Sequence, residues 1–336
     1  MYKYSPVKNK KVWIPVFCVL CAVMFFACET KEPAVTDTED FVPSASTPGV
    51  PKNIIEPVKP MIDMIFVKGG TFKMGSVSRS RREYTNQDAE WPRHDVTLND
   101  FSIGKYEVTQ GEYYEVTGMR PSFHEKNLDD GSPDGWMTLP VENVNWYDAV
   151  VFCNMLSIKE KLKPVYSLNG SFDPDEWGEP PTRKTVEWEA MRMDAGAEGY
   201  RLPTESEWEY AARGGAESKK LYKFAGSDNP DHVAWYSGRL NGPPFSTTSR
   251  NVGKKQPNEL GLYDMSGNVM EWCWDWYGGY TAAAKHNPLG ASSGLYRVLR
   301  GGSWSTNDDN SRILYRHNNQ PHYQGINLGL RLAKNK

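Results

Sequence analysis

Cysteine is scarce in this chain, and its distribution excludes a disulfide scaffold. There are five in 336 residues, and Cys18, Cys21 and Cys28 all fall near the start. Only Cys153 and Cys273 remain for a folded region, and two cysteines do not make a disulfide framework. Each sits among apolar residues, which reads as two buried free thiols; pairing in an oxidising compartment is the alternative. Histidine is equally thin. His94, His124, His232, His286, His317 and His322 are scattered, with no His-x3-His and no His-x-Glu. Neither sign of charge dominates: 39 Lys and Arg against 42 Asp and Glu give a net charge of −3. No basic cluster alternates with aromatics, so nucleic acid is not expected as a partner. Long apolar runs are missing too. The one candidate, Val12 to Ala27, is shorter than the ~20 residues that cross a bilayer and contains Pro15.

That short run nevertheless has a recognisable context. Lys3, Lys8, Lys10 and Lys11 precede it, and it ends Phe25-Phe26-Ala27-Cys28. A basic start, a short apolar stretch and a small residue before cysteine form the layout of a bacterial lipoprotein signal, although Phe25 stands where Leu is usual. The expectation is a leader over 1–27, cleavage before Cys28, and a lipid on Cys28. That lipid would hold the protein to a membrane of the cell envelope, at the outer membrane or the cell surface. An ordinary signal or a buried anchor helix is the alternative. Residues 28–58 follow, rich in Pro, Thr, Ser and acids and without apolar periodicity. They read as a disordered tether with a reach on the order of 30 Å.

Residues 59–336 read as a single globular domain of α+β class with much loop. Three helices are predicted. One covers Thr109 to Val116 and stops at Gly118. A second runs from Trp146 to about Lys159, capped by Asn145, with Trp146, Ala149, Val150, Cys153 and Leu156 at helical spacing. The third follows the capping box Thr204-Glu205-Ser206-Glu207, turns Trp208, Ala211 and Ala212 inward, and ends at Gly214-Gly215. Strands are expected at Met64–Val67, Thr71–Met74, Asp95–Leu98, Phe101–Ile103, Val298–Arg300 and Gly329–Leu332.

An ordered series of motifs goes further. It begins Phe66-Val67-Lys68-Gly69-Gly70-Thr71-Phe72-Lys73-Met74-Gly75 and continues with Lys105-Tyr106-Glu107-Val108-Thr109. Pro140-Val141-Glu142-Asn143-Val144-Asn145-Trp146 comes next, then Arg201-Leu202-Pro203-Thr204-Glu205-Ser206-Glu207-Trp208-Glu209-Tyr210-Ala211-Ala212. The series ends with Gly261-Leu262-Tyr263-Asp264-Met265-Ser266-Gly267-Asn268-Val269-Met270-Glu271-Trp272, Arg300-Gly301-Gly302-Ser303-Trp304 and Leu328-Gly329-Leu330-Arg331-Leu332. It resembles the formylglycine-generating enzyme, or sulfatase-modifying factor, family over about residues 61–333. The resemblance implies a C-type-lectin-like fold with little regular structure, and residues 166–198 look like an insertion making a surface excursion. It also implies where chemistry should lie. Active members hold copper through two cysteines, and thiolates suit Cu(I). Counted from Gly301, those positions are Thr306 and Ser311, and no cysteine follows Cys273. Copper is therefore not expected, and formylglycine-generating activity is not the leading reading. An enzyme of this family with another metal-dependent oxidation chemistry stays as the alternative. An iron-binding branch of the family needs a helical histidine domain for which this chain offers no motif. A structural calcium site aligns with Asp264, Gly267, Val269 and Glu271; two carboxylates and two carbonyls suit a hard cation, with simple turn capping as the alternative.

The last loop region, 305–327, reads STNDDNSRILYRHNNQPHYQGIN. Such a mixture of Asn, Ser and Tyr is typical of adaptable binding surfaces. It resembles the variable regions that diversity-generating retroelements alter in lectin-fold proteins; an ordinary polar terminus is the other reading. Trp304, Asn307, Asp308, Asn310, Tyr315, His317, His322 and Tyr323 are the candidate ligand contacts. Arg312, Arg316 and Pro321 read as scaffold. The expected partner is an extracellular or envelope protein or a glycan.

Overall fold

The computed structural model describes residues 60–77, 89–125, 135–238 and 246–336. The expected leader, Cys28 and the tether lie outside the described residues. In chain order the elements are β1 (Met64–Val67), β2 (Gly70–Met74), β3 (His94–Leu98), β4 (Phe101–Gly104), α1 (Gln110–Thr117) and α2 (Trp146–Lys159). Next come β5 (Tyr166–Ser167), α3 (Val186–Glu189), β6 (Arg192–Met193), β7 (Tyr200–Arg201), α4 (Glu205–Ala212) and α5 (Pro230–Val233). The series closes with β8 (Met270–Trp276), β9 (Lys285–His286), β10 (Arg297–Arg300), β11 (His317–Asn319), β12 (Leu328–Gly329) and β13 (Ala333–Asn335). Helices and strands mix with many loops, as the α+β assignment required. Among the described residues no helix is long and apolar enough to cross a membrane.

Each of the three predicted helices forms where its capping chemistry starts it. Thr109 caps α1, with reciprocal bonds to Glu112, and Gly118 ends it in the left-handed region at φ 70°. Asn145 caps α2 through Asp148, and Thr204 caps α4 through Glu207. In α2 the predicted inward residues Trp146, Ala149, Val150, Cys153 and Leu156 are all fully buried.

Two four-stranded sheets frame the domain, in the orders β1-β4-β13-β7 and β11-β10-β8-β12; β2-β3-β9 forms a third. The longest strand, β8, pairs antiparallel with β10 and parallel with β12. The expected strand Gly329–Leu332 is in fact two strands. Leu328 and Gly329 join β8, while Ala333–Asn335 lies between β4 and β7. The buried residues between them, Leu330 to Leu332, carry the chain from one sheet to the other.

The 166–198 segment is not a surface excursion. β5 pairs with β6, and Tyr166 is fully buried and stacks on Trp274 at 5.1 Å. Trp188 meets Tyr147 edge-on at 5.4 Å, and Trp177 meets Trp188 at 6.1 Å. Aromatic contacts of this kind add about 0.5–1.5 kcal/mol each beyond the area they bury. The segment therefore belongs to the core around α2. Cys153 and Cys273 are both buried free thiols.

Candidate ligand-binding face

The region after Trp304 is anchored by its scaffold residues. Arg316 is bidentate to Glu205 at 2.6 and 2.7 Å and also donates to the carbonyls of Ala89 and Gly278. Arg312 grips Glu90 at 2.9 and 3.2 Å. Pro321 is buried, and its carbonyl accepts the Trp146 N–H at 2.9 Å. These contacts fix the backbone of the loop.

The predicted contacts fall into three groups. In the first, Trp304 donates its indole N–H to the Ile326 carbonyl at 3.2 Å, and Tyr323 and Ile326 are exposed beside it in sequence. In the second, Asn307 caps a short 3-10 turn through the Asn310 N–H, with Asp308 inside that turn. Asp308 and Asp309 face Lys223 at 3.9 and 3.3 Å. In the third, the rings of Tyr315 and His317 stack at 6.3 Å. The expectation of exposure needs correcting for this last group. Tyr315, His317 and His322 are only partly exposed, and the Nδ1 atoms of both histidines are buried. Burial holds His317 below the ordinary histidine range and lifts the Tyr315 hydroxyl. Their backbone lies close to β10, which pairs with β11 through Leu299 and His317. Of the four, only Tyr323 is exposed, by about half of its surface (48 %).

Trp304 also acquires neighbours that no pattern in the sequence announced. His124 meets it edge-on with centroids 5.0 Å apart, and Phe123 meets His124 at 5.3 Å. Phe123 is 71 % exposed, which is unusual for so large an apolar ring. Three side chains hold this 121–124 loop. Gln110 donates from its amide to the His124 carbonyl at 2.7 Å. Glu142 Oε1 accepts the His124 N–H at 2.7 Å, and Asn143 donates from its side chain to the Pro121 carbonyl at 2.9 Å. The Asn143 backbone N–H meanwhile reaches the Gly325 carbonyl at 3.0 Å. Asn143 thus joins the 121–124 loop to the 323–326 loop, and the face is built from both. Glu142 is buried with Oε2 unpaired among the described residues. Desolvation pushes its carboxyl up to about 7.

The two positions that would carry copper-binding cysteines hold hydroxyls, of which Thr306 is hydrogen-bonded locally and Ser311 Oγ is buried without a partner among the described residues. Thr306 Oγ1 accepts the Ser303 N–H at 2.8 Å and donates to the Ser303 carbonyl at 3.0 Å. Ser311 is buried under Gly302, whose left-handed backbone at φ 71° lets it approach closely. Neither oxygen is a ligand for Cu(I).

The residues aligned with calcium form a different arrangement from the expected one. Glu271 is fully buried, and both its oxygens are engaged: Arg331 donates to them at 2.7–3.0 Å and the Trp208 indole at 2.6 Å. Asp264 Oδ2 accepts the Gly253 N–H at 2.7 Å, while Oδ1 is buried without a partner among the described residues. Burial lifts the Asp264 carboxyl to about 6. The Gly267 N–H donates to the Gly301 carbonyl and the Val269 N–H to Glu107. Glu107 also accepts from Asn268 at 2.6 Å, and burial beside Asp264 and Glu271 raises its carboxyl well above the usual range. Of the two aligned carboxyls, only Asp264 keeps an open oxygen, because Arg331 and Trp208 occupy both oxygens of Glu271. Among the described residues no group of three His, Cys, Asp or Glu side chains is disposed to hold a metal.

Comparison with known proteins agrees with this framework. Residues 52–336 match the model of the sulfatase-modifying factor enzyme 1-like domain. The chain is similar to "Chaperone protein LppX" of Paenibacillus barcinonensis, at 37 % identity over 287 residues, covering 82 % of this chain and 90 % of that protein. It is similar to the formylglycine-generating enzyme of Thermomonospora curvata at 29 % identity, covering 80 % and 92 %. Among solved structures it is similar to Treponema denticola variable protein 1, with 35 % identity, a TM-score of 0.70, and coverage of 81 % and 95 %. The chain belongs to the sulfatase-modifying factor enzyme 1-like domain family.

Proposed function

We propose that this protein is a lipid-anchored envelope protein whose domain binds a macromolecular ligand without catalysing a reaction. The observation that carries the reading is the face around Trp304. Trp304 is held by the Ile326 carbonyl and meets His124, which carries exposed Phe123; Tyr323 and Ile326 are exposed on the adjoining loop, while the copper-ligand positions are Thr306 and Ser311. Large rings fixed on a rigid backbone supply contact area at low entropy cost, which suits a binding anchor better than a reaction centre. Asn307, Asp308 and Asn310 add polar contacts at the rim. The partner is an envelope or extracellular protein or a glycan. The similarity to a protein named a chaperone favours a protein partner. The similarity to one named a variable protein supports the 305–327 region as the part altered between copies. Membrane attachment rests on the Cys28 signal in the sequence, and the name LppX is consistent with it.

The test compares the wild-type protein with Trp304→Ala and Phe123→Ala on arrays of glycans and envelope proteins, with folding checked by circular dichroism. Binding that disappears in both folded variants supports the face. Binding that persists unchanged, or Cu(I)-dependent oxidation of a cysteine-containing sulfatase peptide, sinks the reading.

A further inference from the structure

A second site lies away from this face, in a half-enclosed cavity of about 90 Å³ between the start of α4 and the loop after β8. Its walls include His94, Glu205, Asp275, Trp276, Tyr280 and Arg316. The charged groups behind it are almost all paired. Arg316 and Arg300 contact Glu205, and Arg300 and Arg213 contact Glu209 at 2.6–2.7 Å. Arg201 takes Glu207 at 2.7 Å. Lys285 also lines the cavity and makes no ion pair among the described residues; of the two acids on the wall, Asp275 alone lacks a cation. It is 3 % exposed, its Oδ2 accepts the Glu205 N–H at 2.9 Å, and no other bond to its carboxyl forms among the described residues. Burial, with Glu205 alongside, pushes that carboxyl up to about 8, the behaviour of an acid short of a counter-charge. The backbone is built to bring it here: Gly290, at φ 84°, packs so close that an added Cβ would lie 2.6 Å from the Asp275 Cβ.

Two further polar groups on the wall are unmatched. His94 is 3 % exposed, and its Nδ1 lies 3.0 Å from the Pro92 carbonyl. A carbonyl can only accept, so Nδ1 carries a hydrogen, and Nε2 has no partner among the described residues. The Tyr280 hydroxyl is buried without a partner among the described residues, and its ring meets His94 at 4.9 Å. The Asp275 carboxyl, an imidazole nitrogen and a phenol oxygen thus line the cavity against aromatic walls, and a bound cation would favour the ionised form of Asp275. A donor with positive charge matches that set; an anion would meet Asp275 and Glu205.

We propose that this cavity binds a small ligand through a protonated primary amine, with Asp275 as its counter-ion and His94 and Tyr280 as additional acceptors. The cavity has the space of several water molecules at about 10–15 Å³ each, enough for an ammonium group on a short carbon stem. The rings of Tyr280 and Trp276 add a cation–π component.

The experiment is a calorimetric and NMR titration of the full chain with methylammonium and n-butylammonium, with acetate and inorganic phosphate as anionic controls. Saturable binding of the amines alone is expected. Asp275→Asn keeps an acceptor for the Glu205 N–H and should weaken amine binding about tenfold, or 1.4 kcal/mol. Tyr280→Phe should weaken it about threefold by removing one acceptor, and it serves if the first variant fails to fold. Absence of saturable amine binding overturns the proposal, since the cavity then holds only water. So does equal affinity in a folded variant, or preferential binding of acetate or phosphate.

Discussion

Arg331 lays its guanidinium against both oxygens of Glu271 at 2.7–3.0 Å, and neither side chain has any exposed surface. The pair joins the last motif of the chain to β8. It also lies beside Asp264 and Glu107, so one fixed cation serves three buried acids. Removing Arg331 would strand those acids in a dry interior. Arg331→Met should cost about 3–5 kcal/mol in urea unfolding, and adding Glu271→Gln should restore part of that loss. The same arrangement predicts that calcium or a chelator moves the thermal midpoint by less than about 1 °C. A rise of several degrees with calcium would show that Asp264 recruits the ion after all.

Asn143 joins the two loops beside Trp304 from a left-handed backbone at φ 63°. Non-glycine residues resist that conformation by roughly 1–2 kcal/mol, and asparagine resists it least. Asn143→Gly should therefore lose only the bond to Pro121, about 1 kcal/mol. Asn143→Ala loses that bond and adds strain, about 2 kcal/mol in all. Both variants should speed hydrogen exchange at His124 and Asn143, the amides that hold the two loops. Unchanged exchange would mean that other contacts position Trp304.

Local chemistry in this chain was legible, and distant pairing was not. Asn145 and Thr204 announced α2 and α4 because a cap acts within one turn. The copper positions could be read as Thr306 and Ser311 by counting. Strand β8 could not be read, although it is the longest. Glu271 and Asp275 alternate there with tryptophans, and two acids in seven residues look solvated. Both are buried, because Arg331 comes from sixty residues later and the Glu205 N–H from seventy residues earlier. Arg297 hides in the same way: its guanidinium lies 3.7 Å from the Trp146 ring centroid and 3.6 Å from that of Trp276. Phe123 and His124 gave no signal at all, since their contact with Trp304 depends on a turn set by Asn143. The 166–198 segment reads as an insertion, but its tryptophans need α2 beside them before their burial makes sense.

Cys153 and Cys273 are buried, and burial raises both thiols above the ordinary range. Thiolate, not thiol, is the reactive form. The native protein should therefore show no labelling at these two positions by a maleimide over hours at neutral pH, and full labelling in denaturant. Fast native labelling of either would overturn the buried-thiol assignment.

Glu142 gives the stability of the fold a pH dependence whose sign follows from its environment. Desolvation raises its folded carboxyl from 4.5 to about 7, so the folded state holds a proton that the unfolded chain has released between those values. Stability from this group is fully present below about 4.5, falls as pH rises through that window, and is lost above about 7. The loss should be on the order of 3 kcal/mol, since each tenfold change in proton affinity is worth about 1.4 kcal/mol. Glu142→Gln keeps an acceptor for the His124 N–H and puts an uncharged amide in place of Oε2. It should flatten the stability profile between pH 5 and 7 (roughly the window between the two carboxyl values) and be more stable than wild type above it. Urea midpoints across that range test both points. A wild-type profile that the glutamine variant reproduces, slope included, would assign the pH dependence to other acids such as Asp264.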